Sequence, residues 1–95
     1  MLGVTDRARE ELKRLLTDRT DHPEVGLRLT VGDSGGLRLG LDTEMPGDRV
    51  VVEEGLKVLL VEQELADSLL GTSLDVEDTA EGPELVIVEE AEDEQ

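Results

Sequence analysis

Over residues 53–78 the hydrophobic period changes twice, and this double change dictates strand, helix and strand in quick succession. Leu56, Val58 and Leu60 alternate with Lys57 and Leu59, the period-two pattern of a strand with one face well buried. From residue 62 to residue 70 the spacing turns helical, with Leu65, Leu69 and Leu70 on one side. Gly71 stands where a helix needs a left-handed residue to stop. Leu74 and Val76 then alternate with Asp75 and Glu77, and the chain is back at period two.

The flanking segments read the same way. Thr5 is placed to cap a helix running to Arg19, with Asp6 in the opening turn, where negative charge complements the helix dipole. Ala8, Leu12, Leu15 and Leu16 form its apolar stripe. Arg7, Arg9, Lys13 and Arg14 share the other faces with Glu10 and Glu11, which reads as a solvated, salt-bridged surface. Leu27, Leu29 and Val31, then Leu37, Leu39 and Leu41, define two alternating strands around the turn residues of Gly32 to Gly36, so a hairpin is expected. Pro46-Gly47 marks a turn, Val50, Val51 and Val52 a third strand, and Glu54-Gly55 the turn into the fourth. The last strands fall near residues 74–77 and 84–88, joined by a Gly82-Pro83 loop. The reading is an α+β domain of mostly antiparallel or mixed β-sheets, with an N-terminal helix and one short helix after the fourth strand. Residues 1–88 make a single domain; residues 89–95 have nothing to bury and form an acidic C-terminal tail.

Ninety-five residues suffice for one modest core, burying about 64% of the unfolded chain's surface. There is no Phe, Tyr or Trp, so that core must be aliphatic. The same absence removes the stacking platform for single-stranded nucleic acid and the aromatic anchors of many interfaces. A formal charge of −16 repels phosphate backbones and anionic membranes alike. No apolar run approaches membrane-span length and no signal peptide opens the chain, so a cytoplasmic protein is expected. The charge is uneven: residues 1–19 carry five basic and four acidic groups, while residues 58–95 carry thirteen acidic groups and no basic one. Solubility accounts for such a face, as does a halophilic source; docking of a basic partner is the functional reading.

Gly32-Asp33-Ser34-Gly35-Gly36 spells the string that surrounds a serine-protease nucleophile, with Ser34 attacking and His22 as base. The chain is too short for that two-barrel fold, and His22, its only histidine, precedes Pro23 in a loop with no carboxylate to orient it. No lysine follows the glycines and no helix begins after them, so a phosphate loop fails too. A tight turn explains them. Asp75, Glu77, Asp78 and Glu81 are oxygen donors suited to a hard cation, but they lack calcium-site spacing and read as a solvated strand edge.

The order of pieces, with Gly55-Leu56, the corner Gly71-Thr72-Ser73-Leu74-Asp75, Gly26-Leu27-Arg28-Leu29 and Ser34-Gly35, resembles the A-type iron–sulfur carriers, the HesB/IscA-like family. The resemblance runs roughly over residues 4–88 and implies that family's fold. It also implies three cysteine ligands, one just after the Ser-Gly of the first hairpin and a Cys-x-Cys pair near the C-terminus. Here Gly36-Leu37 follows Ser34-Gly35 in a shortened loop, and the chain ends Glu89-Glu90-Ala91-Glu92-Asp93-Glu94-Gln95. All three positions lack sulfur. Ser34 and Gly36 are the nearest remnants of the first. Glu89, Glu90, Glu92 and Asp93 stand near the other two, and their hard oxygen donors do not suit a cluster held by soft thiolates. The expectation is a non-enzymatic, protein-binding or accessory module linked to iron–sulfur cluster assembly. No catalytic, cofactor-binding or metal residue is assigned, and no cofactor. The partner is a protein of unknown identity, and the resemblance implies a homodimer. The alternative is weak, carboxylate-mediated binding of iron or another divalent cation in the same pathway.

Overall fold

Thr5 caps the first helix as its position predicts: its hydroxyl oxygen accepts the Ala8 N–H at 3.1 Å and donates to Asp75 Oδ1 at 2.8 Å. One residue therefore starts the helix and ties it to a strand seventy residues away. In this computed structural model, which describes residues 2–34 and 36–89, helix α1 spans Asp6–Arg19. It is preceded by a two-residue strand, β1 (Gly3–Val4). Then follow β2 (Val25–Val31), β3 (Leu37–Thr43), β4 (Arg49–Glu53), β5 (Leu56–Val61), α2 (Gln63–Ser68), β6 (Thr72–Thr79) and β7 (Gly82–Glu89).

The strands form two mixed sheets. One has the order β3-β2-β5-β4, with β2 and β5 parallel at its centre and antiparallel hairpins on either side. The other has the order β1-β6-β7, with β1 parallel and β7 antiparallel to β6. Helix α1 presents Ala8, Leu12 and Leu16 to a core completed by Leu27, Leu29, Val58, Leu59, Val61, Ala66, Leu74 and Val76. Leu37, Leu39, Leu85 and Ile87 pack around it. The α+β reading with mixed sheets holds. The short helix follows the fourth strand predicted from sequence, which becomes β5 because β1 precedes α1.

Three local readings change. Val58, Leu59, Leu60 and Val61 are all at most 1% exposed, so β5 is buried on both faces rather than one. Its central place in the sheet explains this, and so does a β-bulge: Val51 pairs Leu59 while Val52 pairs Lys57, leaving Val58 as the extra residue and reversing the alternation there. Helix α2 ends at Ser68, and Leu70, predicted on its apolar side, is 58% exposed. Gly71 does take the left-handed φ of +82°. The β6–β7 turn is Ala80-Glu81, and Gly82 and Pro83 lie inside β7. An edge strand tolerates a proline that no ladder bond requires.

Turn chemistry sets the remaining corners. Glu54 and Gly55 have φ of +53° and +82° between the paired Glu53 and Leu56, the backbone of a two-residue type I′ hairpin. Lys13 of α1 forms an ion pair with Glu54 and so holds this corner against the helix. Met45-Pro46-Gly47-Asp48 closes through the Asp48 N–H to the Met45 carbonyl at 3.1 Å, with Gly47 at φ +88°. Proline second and a left-handed glycine third define a type II turn.

Candidate functional site

The hairpin tip between β2 and β3 is where the resemblance places a first ligand. The Gly32 N–H donates to the Gly36 carbonyl at 2.8 Å, which closes the loop and leaves Asp33 and Ser34 exposed. Arg38 lies over Gly32: a Cβ built there would sit 3.3 Å from Arg38 Nε. Gly35 lies outside the described residues. The loop offers one hydroxyl and one carboxylate, both in solvent.

His22 is in the loop between α1 and β2, and Ser34 follows β2. The seven residues of that strand hold them about 20 Å apart at 3.3 Å per residue, so they form no dyad. The imidazole Nδ1 instead accepts the Glu24 N–H at 3.2 Å, a local turn contact.

The β6 carboxylates are likewise dispersed. Asp75 and Glu77 point to one face of the strand, Asp78 to the other, and Glu81 sits in the turn. Asp75 is occupied: it accepts the Val76 N–H and the Thr5 hydroxyl, and both hold its carboxyl below the usual range. Asp78 pairs with Arg7. Among the described residues no three of His, Asp or Glu come together as a metal site. Glu89 ends β7, exposed and opposite Thr72. Glu90, Glu92 and Asp93 lie outside the described residues.

One polar constellation has no motif to announce it. Arg28, on the outer face of β2, donates through Nε to Asp42 Oδ2 at 2.6 Å. Its Nη1 and Nη2 clasp both oxygens of Asp48, at 3.1 and 2.6 Å, and Nη2 also reaches the Thr43 carbonyl. The Asp48 side chain is 3% exposed and also accepts the Met45 N–H at 2.8 Å. The bidentate arginine, with that amide, holds the Asp48 carboxyl well below its ordinary value, and Asp48 in turn keeps the guanidinium firmly charged. Its work is structural. It clamps the loop carrying Met45 and Pro46 over the outer face of the sheet, where Leu60 is fully buried beside Arg28. Four of the five guanidinium N–H groups are spent on protein partners. The only sign in the sequence was a lone arginine at a strand position, with acids 14 and 20 residues on.

Two sheets around a helix, with a short second helix leading into the last hairpin, define the HesB/IscA-like fold of A-type carriers. The chain superposes on SufA of Escherichia coli, a protein involved in biosynthesis of iron–sulfur clusters, with a TM-score of 0.70 and 22% identity over 93% of this chain and 84% of that one. IscA bearing a 2Fe-2S cluster gives 0.61 at 21% identity, over 94% and 85%. A protein from Aquifex aeolicus solved by NMR gives 0.60 at 26%, over 90% and 88%. No protein-family model matches the chain, and no curated protein does either. The fold is thus that of the carriers, in a sequence with no cysteine.

Proposed function

We propose that this chain is a non-enzymatic HesB/IscA-like module without cluster ligands, which binds a protein partner in or near iron–sulfur cluster assembly. The observation that carries the reading is a carrier fold combined with the lack of any thiolate in 95 residues. Clusters are held by thiolates, and the described residues bring no substitute donor set together. The ion pairs of α1 and the clamp of Arg28 are spent on holding the scaffold. What is left for function is surface.

No described helix is long and apolar enough to cross a membrane. Anaerobic reconstitution of the purified protein with iron and sulfide tests the reading. The expected product is colourless and retains assembly proteins in affinity capture. A brown protein with iron–sulfur absorption overturns the reading.

A further inference from the structure

Strand β7 is an open edge. It pairs β6 on one side, and among the described residues no backbone hydrogen bond reaches it from any other element. The two-residue turn makes Thr79 and Gly82 the closing pair, so ladder bonds to β6 recur at Glu84, Val86 and Val88. The intervening residues turn their backbone groups outward: the carbonyl of Pro83, then both groups of Leu85, Ile87 and Glu89. Pro83, which has no N–H, falls in the outward set, as an unblocked ladder demands. From Leu85 onward every outward position carries a donor and an acceptor.

The charged side chains on the face beside this edge are all of one sign. Its rows pair Ser73 with Val88, Asp75 with Val86, and Glu77 with Glu84. Val88 is 40% exposed, and Glu77 and Glu84 are exposed directly across from one another. Like charges placed so oppose each other, and residues 58–95 supply no base to relieve them. Five of the chain's nine basic residues, Arg9, Lys13, Arg14, Arg28 and Lys57, pair with acids at or before residue 54, and Arg14 and Arg19 also line a cleft with Pro83, Glu84 and Leu85. Arg7 reaches Asp78, and that carboxylate is on the other face.

We propose that β7 accepts an extended, basic segment of a partner protein as an added strand. Lysine or arginine lies opposite Glu84 and reaches toward Glu77 one strand further in, and apolar residues cover Val86 and Val88. Backbone bonds to Leu85, Ile87 and Glu89 supply affinity, and the acidic rows select the partner. A second copy of this chain is disfavoured, because it would bring the same acids to the same edge. The charges that bar self-pairing admit a cation-bearing strand.

This rests on the protein-binding reading above, yet a brown reconstituted protein would sink that reading and leave the edge measurement standing. The probe is an end-blocked peptide of alternating Lys and Val, with a Glu–Val peptide as control, titrated into the labelled full chain by NMR. Protection of the Leu85, Ile87 and Glu89 amides from exchange is expected with the Lys–Val peptide alone. Joint E77Q and E84Q substitution should weaken binding about fivefold, the effect of losing the cross-strand charge pair at Glu84 with Glu77 as a more distant contribution. Glu89→Pro, which deletes an outward amide at an exposed position, should weaken it beyond Glu89→Gln while leaving the melting temperature in place. The proposal is overturned by equal binding of both peptides, by shifts centred away from β7, or by protection of these amides in the peptide-free protein that grows with its concentration.

Discussion

Gly26 lies on β2, facing the parallel neighbour β5 at the centre of the larger sheet. A Cβ built there falls closer to the Lys57 carbonyl oxygen than the 3.0 Å that real Cβ atoms essentially never breach, and 3.3 Å from Leu60 Cγ. The first neighbour is backbone, and it belongs to the bulge at Val58, so it has no rotamer through which to yield. Gly26→Ala must therefore push β2 from β5 or unseat the fully buried Leu60. Overpacking of this kind costs about 3 kcal/mol, the upper end of its usual range. For a domain of this size that is a fall of about 12–24 °C in melting temperature. Gly40→Ala is the control: nothing lies within 4 Å of its added Cβ, and its φ is not left-handed. That substitution should shift stability by at most about 1 kcal/mol, in the stabilising direction. Thermal unfolding followed by far-ultraviolet circular dichroism reads both. A Gly26→Ala protein that melts within a few degrees of the parent refutes the close approach of β2 and β5.

Other perturbations follow from the same contacts. Arg28→Met leaves the buried Asp48 with one amide partner and should destabilise by about 2–3 kcal/mol in denaturant titration. Because Arg28 depresses the Asp48 carboxyl, its contribution is complete above the unfolded value of about 3.9 and lost as pH falls through the folded one. The parent's melting temperature should thus drop more steeply below about pH 4 than that of Arg28→Met. Glu54→Gly relieves a left-handed non-glycine residue and should stabilise by about 1 kcal/mol, with the exposed Lys13 pair a minor loss. Ending the chain after Glu89 should preserve cooperative melting, since the last residue packed on the core is Ile87.

Much of the fold was legible because period and turn chemistry agree along the chain. Thr5, the leucine stripe of α1, Glu54-Gly55 and Gly71 each declare their local structure without help from distant residues. What was hidden depends on pairing. Two residues of β1 are too few to show a period, and they become a strand only because β6 offers Ser73 and Leu74 as partners. The bulge at Val58 shifts the alternation of β5 inside a run so apolar that the pattern cannot register it. Gly82-Pro83 is the strongest turn dipeptide nearby, yet Thr79 sets the corner two residues earlier, its hydroxyl donating to the Gly82 carbonyl at 2.7 Å. The Arg28 clamp joins three segments through charges that no spacing rule connects. As for the site, the absence of sulfur ligands was plain from composition, whereas the exposed edge of β7 required the strand order.

Neither the core, from Ala8 to Ile87, nor the surface holds a Phe, Tyr or Trp. In the near ultraviolet the molecule is therefore close to transparent. Any tyrosine or tryptophan signal from a complex belongs wholly to the other component, which can be followed unlabelled as it docks. A single tryptophan introduced at one chosen position would report on that position alone.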